Sequence, residues 1–316
     1  CPPETPADAA HLSEARRAEG YRLACMWRVS CDAVVEIPAK SRADGIHVLT
    51  DGEDTGLDRS AHVREDAPYG IAVDIGSTTV VASLLDARTG RTTAISSDIN
   101  GQHAFGADVV SRIKHSLEDG GLDELHESLR KTLNALMSDV LTSADVAPAR
   151  VAEIVLTGNT VMLHSFHRES MENMAHLPFE PSFREPRQVE GRVVCPCFND
   201  GTTVWTFPVI GGYVGGDTVA CMVATDMDRA EESQIVVDIG TNGEVALGNR
   251  DGWITTSAPA GPAFEGALIS CGMRGAPGAI EHVRIEEDRM IVDVIGQQVP
   301  IGICGTGLID AAAMLL

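Results

Sequence analysis

The chain has 316 residues, with 46 acidic against 24 basic side chains and a formal net charge of −22, so it repels nucleic-acid backbones and anionic membranes and is not expected to bind either. Hydrophobic residues make up 44% and charged ones 22%, an ordinary soluble composition at a length that suggests about two domains. No apolar run is long enough to span a bilayer, nothing reads as a signal peptide, and the eight cysteines lack the spacing of a disulfide framework, which points to a reducing cytoplasm.

Residues 1–40 open with a helix expected over His11 to Glu19, then Gly20-Tyr-Arg-Leu-Ala-Cys25 and a strand, Asp32-Ala-Val-Val-Glu-Ile-Pro38. By residue type alone, Cys25 reads as a small buried hydrophobe. The two words together resemble the last part of a plant-type [2Fe-2S] ferredoxin domain, and that resemblance makes Cys25 the fourth cluster ligand, the one that stands apart from a C-x₄-C-x₂-C loop. The loop is not in this sequence, and Cys1 and Cys31 do not supply its spacing. The chain is therefore not expected to hold the cluster by itself. Residues 41–67, with Asp51-Gly52, Asp54, Thr55 and Gly56, read as a polar linker.

Next comes Tyr69-Gly-Ile-Ala-Val-Asp74-Ile-Gly76-Ser77-Thr78-Thr79, followed by a β-branched run to Leu85. It reads as a strand ending in a carboxylate, a tight turn and a second strand. A turn built of glycine and small hydroxyl residues can aim backbone N–H groups at phosphate oxygens, and Asp74 could hold a hydrated divalent cation. An ordinary hairpin fits the same residues. Helices are expected from about Asp108 to Leu117 and from Leu122 to Leu141. The second carries Leu122, Leu125, Leu129, Leu133, Leu136 and Val140 on one core-facing stripe. A strand over Val151 to Leu156 and a helix from Val161 to His167 follow; His164 and His167 lack a carboxylate at ligand spacing and read as packing or surface residues. Residues 170–208 read as loop, and Cys195-Pro-Cys197, with no second pair, is not expected to bind metal. Val209 to Val219 reads as a strand end, a glycine turn and a helix N-terminus. Asp217 or Thr218 would cap that helix or contact a nucleotide.

The opening pattern then repeats. Gln234-Ile-Val-Val-Asp238-Ile-Gly240-Thr241-Asn242-Gly243-Glu244 is again strand, Asp-Ile-Gly, polar turn and strand. Two copies at domain-sized separation imply two duplicated α/β lobes whose hairpins face each other across a cleft, clamping phosphates with both carboxylates on one metal ion.

The paired hairpins resemble the phosphate motifs of the actin, sugar-kinase and heat-shock-chaperone ATPase superfamily. Longer words narrow the match. These are the Tyr69 hairpin, Ala104-Phe-Gly-Ala-Asp-Val-Val-Ser-Arg-Ile, the Asp238 hairpin, Ala260-Gly-Pro-Ala-Phe-Glu-Gly-Ala-Leu-Ile-Ser-Cys-Gly-Met-Arg-Gly-Ala-Pro-Gly-Ala-Ile280 and Gly302-Ile-Cys-Gly-Thr-Gly-Leu-Ile-Asp310. With the Cys25 region, they resemble the reductive activators of corrinoid proteins over almost the whole chain.

That resemblance implies an α/β fold of two ribonuclease-H-like lobes, 68–232 and 233–316, the second incomplete, preceded by a β-grasp ferredoxin-like tail. It implies an ATP-driven enzyme that passes an electron from a cluster to the Co(II) corrinoid of a methyltransferase system, giving Co(I). The cofactors are then ATP, Mg²⁺ and, in the full-length protein, the [2Fe-2S] cluster. The partner is a corrinoid protein, and a homodimer is compatible with it. Asp74 and Asp238 would bind Mg²⁺ and orient water. Gly76, Ser77, Thr78, Thr79, Asp217, Gly240, Thr241, Asn242 and Gly243 would cradle the nucleotide. Glu244 would touch a metal-bound water or be a simple edge-strand carboxylate. Gly305, Thr306 and Gly307 would approach the nucleotide or form a packing turn. Phe264, Glu265, Cys271 and Arg274 would shape the cleft or the partner surface. The missing upstream cysteines and the abrupt ends, Cys1-Pro-Pro and Ala311 to Leu316, suggest a fragment of a longer protein. A small-molecule kinase of the same superfamily and a non-catalytic nucleotide-gated scaffold stay open as alternatives.

Overall fold

Alternation of apolar and open positions sets the first strand. In a computed structural model, β1 (Tyr69–Ile75) buries Ile71, Val73 and Ile75 and leaves Ala72 and Asp74 on the other face. The structure describes residues 4–22, 63–199, 201–240, 242–259, 269–273, 275–286 and 289–315. These fall into two units, one within Cys1–Arg42 and one within Ala43–Leu316.

The first unit contributes two short helices, α1 (Pro6–His11) and α2 (Glu14–Ala18). The single helix expected over His11 to Glu19 is thus divided at Leu12 and Ser13. Ser13 is extended and its hydroxyl accepts from the Arg16 N–H at 3.4 Å; a serine satisfies a helix start better than a helix interior. Cys25 and the strand expected over 32–38 lie outside the described residues, as does most of 41–67.

The second unit begins with a six-stranded sheet in the order β3-β2-β1-β4-β6-β5, made of β1, β2 (Thr79–Asp86), β3 (Arg91–Ile99), β4 (Val151–Gly158), β5 (Arg187–Glu190) and β6 (Thr203–Thr206). β1, β2 and β3 form an antiparallel meander; β4 runs parallel to β1 and β6 parallel to β4. Between β3 and β4 lie α3 (Val109–Ser116) and α4 (Gly121–Ser143). Asp108 caps α3 by accepting the Ser111 N–H at 2.7 Å. The expected α4 stripe is the core: Leu125, Leu129, Leu133, Leu136 and Val140 are all at most 1% exposed. Burying each such side chain is worth roughly 1.5–3 kcal/mol. α5 (Thr160–His167) follows β4 and completes this core through Val161, Met162 and Phe166.

Two strands, β5 and β6, lie inside 170–208, which the sequence presented as loop. Each is only four residues long, and prolines surround them. β3 is also absent from the sequence reading, because Arg-Thr-Thr-Ala-Ile-Ser-Ser-Asp-Ile has no apolar alternation.

After α6 (Gly216–Ala224), two three-stranded sheets follow. β7 (Gln234–Ile239), β8 (Asn242–Asn249) and β9 (Gly252–Pro259) form an antiparallel meander that repeats the β1-β2-β3 arrangement. β10 (Ala279–Glu286) pairs with β11 (Arg289–Val294) and, in parallel, with β12 (Gly302–Ile303). α7 (Gly305–Leu315) packs on β10. The architecture is α/β with duplicated lobes. Among the described residues no helix is long and apolar enough to cross a membrane.

Candidate functional site

Asp74 sits one residue from the end of β1, in register with Val81 on β2 and Thr157 on β4. The turn that follows is held from behind. Asn100 donates its side-chain N–H to the Gly76 carbonyl at 2.8 Å and its backbone N–H to the Thr78 carbonyl at 2.9 Å. Arg112 donates to the Ser77 carbonyl, and Asn159 donates to the Ser77 hydroxyl at 2.9 Å. Three successive carbonyls are therefore drawn into the protein. Across a trans peptide the following N–H points the opposite way, and among the described residues neither the Ser77 nor the Thr78 N–H has an acceptor. A Cβ on Gly76 would stand 2.5 Å from the Thr79 carbonyl oxygen, so only glycine closes this turn.

The second hairpin supplies Asp238 and Glu244, cross-strand neighbours on β7 and β8. Ser257, opposite Glu244 on β9, donates to its carboxylate at 2.9 Å. Gly240 donates its N–H to the Asn242 carbonyl at 2.9 Å, and Gly243 opposes Ile239; Thr241 lies outside the described residues.

Asp217 comes from the first turn of α6. It is not the cap: Gly215 takes that position, without any side-chain bond, and Asp217 instead accepts the Thr218 N–H at 2.8 Å. Gly215 lies where a Cβ would stand 2.5 Å from both the Asn159 Cα and the Thr160 nitrogen, so α6 starts in backbone contact with the start of α5. An aspartate with a larger side chain could not occupy that cap position.

Four carboxylates from two sheets and one helix thus share a field. Burial lifts Asp74 to about 6, and the charge of Asp238 adds to it; the side chain reaches solvent but is closely surrounded by protein. Burial lifts Asp217 to about 7, against the Thr218 hydrogen bond and with the charges of Asp238, Glu244 and Asp74. Asp238 is raised by burial, and Glu244 by burial and Asp238 against its bond from Ser257. Groups coupled in this way titrate as a set. The half-buried Cys221 thiol, one turn beyond Asp217, is pushed up to about 11 by burial and then by the same four charges, so it is no nucleophile at neutral pH.

Concentrated negative charge of this kind suits a divalent cation. Among the described residues no group of three or more potential metal ligands is found. The free Ser77 and Thr78 N–H groups fit phosphate oxygens. Cys25, the residue that the resemblance makes a cluster ligand, lies outside the described residues.

Gly305, Thr306 and Gly307 form the first turn of α7; Thr306 Oγ1 is 3.2 Å from Cys304 Sγ, and a Cβ on Gly307 would stand 2.3 Å from the Ile280 carbonyl oxygen. Phe264, Glu265 and Arg274 are outside the described residues, and Cys271 is exposed. His164 is fully buried, with Nδ1 2.8 Å from the Thr160 carbonyl and Nε2 accepting the Ser182 N–H at 3.0 Å. It stacks on Phe183, so packing is its role. Cys195 and Cys197 are joined as a disulfide, a pairing the sequence did not suggest.

Two parallel hairpin-and-carboxylate modules on separate sheets define an actin-like ATPase architecture, the ASKHA class. Residues 69–230 match the model described as the RACo middle region, and residues 232–316 match the C-terminal, ASKHA domain of RACo. The chain belongs to the RACo family. It is 35% identical over 271 residues to the corrinoid activation enzyme RamQ of Eubacterium limosum, covering 85% of this chain and 45% of the relative. It is 28% identical over 291 residues to the Co(II) methylated amine-specific corrinoid protein reductase of Methanosarcina barkeri, covering 78% and 51%. A solved structure of a reductive activator for a corrinoid, iron-sulfur protein is similar with a TM-score of 0.71 and 35% identity, over 80% of this chain and 41% of that one. The chain spans about half the length of the curated relatives it matches.

Proposed function

We propose that this chain carries the nucleotide-driven core of a cytoplasmic reductive activator of corrinoid proteins, which couples ATP hydrolysis to the reduction of Co(II) to Co(I). The observation that carries the reading is the convergence of Asp74, Asp217, Asp238 and Glu244 beside a turn whose N–H groups have no acceptor. The names of the relatives supply the substrate class.

Bound Mg²⁺ would neutralise phosphate charge and lower the barrier to attack at the terminal phosphorus. Asp74 and Asp238 would hold the ion through water and orient the attacking water, and the Ser77 and Thr78 N–H groups would meet phosphate oxygens. Each turnover consumes water and releases ADP and phosphate. The lobes, 68–232 and 233–316, respond to nucleotide because the carboxylates come from both. A ligand shifts such an equilibrium only by its difference in affinity for the two states. Reduction of the corrinoid follows if one lobe arrangement binds the Co(II) protein and the other releases Co(I). One electron from a reduced iron-sulfur centre, of the kind the family resemblance implies, would convert Co(II) to Co(I).

The test uses the full-length protein, chemically reduced, mixed with a Co(II) corrinoid protein and followed by visible absorbance with and without MgATP. Formation of Co(I) only with MgATP is expected. Equal formation without it would overturn the reading.

A further inference from the structure

Arg112, on α3, is fully buried, and among the described residues it forms no ion pair. Buried arginines ordinarily have a carboxylate partner, because removing an unpaired charge from water is costly. The charge of Asp108 does reach Arg112, but its Oδ1 is occupied in capping α3. The guanidinium instead donates to neutral oxygens: the Gly106 carbonyl from Nε at 3.0 Å, the Gln102 amide from Nη1 at 3.4 Å and the Ser77 carbonyl from Nη2. Burial lowers its pKa to about 10, so it remains a cation at neutral pH. A guanidinium without an ion pair among the described residues therefore lies behind the turn whose Ser77 carbonyl it holds.

We propose that Arg112 is the positioning residue of the phosphate site: its planar fork sets the Ser77 peptide with the N–H of Thr78 outward, and its charge attracts the nucleotide's phosphates through the turn. This rests on the nucleotide-site reading above. The arrangement gives the apo protein an electrostatic deficit on each side of the turn, carboxylates in front and a guanidinium behind. Bound MgATP would answer both, with the carboxylates available to its metal and the arginine's charge to its phosphates. Lysine could keep the charge but not the fork that reaches Ser77 and Gly106 together.

Isothermal titration of the full-length protein with MgATP at several salt concentrations tests this, with Arg112→Met and Arg112→Lys beside wild type. Losing a charge-assisted hydrogen bond is expected to weaken MgATP binding by about tenfold or more in Arg112→Met, with a shallower salt dependence. Arg112→Lys should keep the wild-type salt dependence and recover only part of the affinity. A residue that served stability alone would lower the melting temperature and leave affinity and salt dependence of the folded protein unchanged, which would overturn the proposal. Should Arg112→Met not fold, wild-type affinity in Arg112→Lys overturns it equally. Absence of MgATP binding by wild type would instead remove the nucleotide-site reading itself.

Discussion

Asn159 donates its side-chain N–H to the Ser77 hydroxyl at 2.9 Å, while its side-chain oxygen accepts the Met162 N–H at 3.1 Å. One amide thus caps α5 and braces the turn after Asp74, 82 positions away in sequence. Asn159→Ala loses both bonds and should cost about 1 kcal/mol in stability, the usual value of an N-cap. Asn159→Asp keeps the cap, loses the donor and adds a negative charge near the phosphate site. It should melt close to wild type yet bind MgATP more weakly than Asn159→Ala. Thermal denaturation with titration calorimetry checks this, and wild-type affinity in the Asp variant would break the link between cap and turn.

Asp238→Asn should lower ATP turnover by about a hundredfold or more, since a group placed for the transition state is removed. The same change relieves repulsion among Asp74, Asp217 and Glu244, so the nucleotide-free protein should melt at a higher temperature. Phosphate release and melting curves give both numbers. Unchanged hydrolysis would remove Asp238 from the site.

The carboxylate set also makes stability depend on pH. Burial raises Asp217 to about 7 in the folded protein, against an ordinary 3.8. The folded state therefore holds the proton more tightly. Its contribution to stability is complete below pH 4 and is lost as pH rises toward 7. Asp217→Asn should flatten that decline, and saturating MgATP should oppose it by favouring the ionised forms. Melting temperatures across pH 4–8 with and without MgATP measure both effects.

His164 and His167 act in the opposite sense. Burial lowers each to about 4 from an ordinary 6.5, and for His167 the charge of Arg187 adds to it. The unfolded chain binds their protons more readily, so their contribution is present above pH 6.5 and is lost as pH falls toward 4. His164→Gln should be less stable than wild type at pH 8, having lost the stacking on Phe183, and less sensitive to acid. Because this limb overlaps that of Asp217, the variants separate what wild type alone would show as a shallow profile.

Gly215→Ala should destabilise by about 1–3 kcal/mol, the range for overpacking. The added carbon meets the backbone of Asn159 and Thr160 rather than a movable side chain. Denaturant unfolding checks this, and a loss below a few tenths of a kcal/mol would mean that α5 and α6 can separate freely.

Much of the site was legible because its signals are local. The Asp-Ile-Gly hairpins, the α4 stripe and the helix at Asp108 each follow from spacing and residue type within a short window, and each is present. Asn100, Arg112 and Asn159 carried no such signal. Arg112 lay within a word that pointed to the family, but nothing in the word placed its guanidinium behind Ser77. The strands β3, β5 and β6 were missed for the related reason that pairing with neighbours, not their own composition, makes them strands.

By itself, the sequence determined the strand–Asp–turn–strand module, its duplication at Asp74 and Asp238, and the amphipathic helix that fills the first core, since all three are written in periodicity and in residues that only certain backbones accept. The resemblance already assigned Asp217 and Glu244 to the site; the tertiary structure alone decided that burial and neighbouring carboxylates raise them both, that Gly215 rather than Asp217 begins α6, and that a buried arginine without an ion pair among the described residues stands behind the turn. Those facts depend on which distant groups come within a few ångströms, where burial and mutual repulsion change what each can do, and no local pattern encodes that distance.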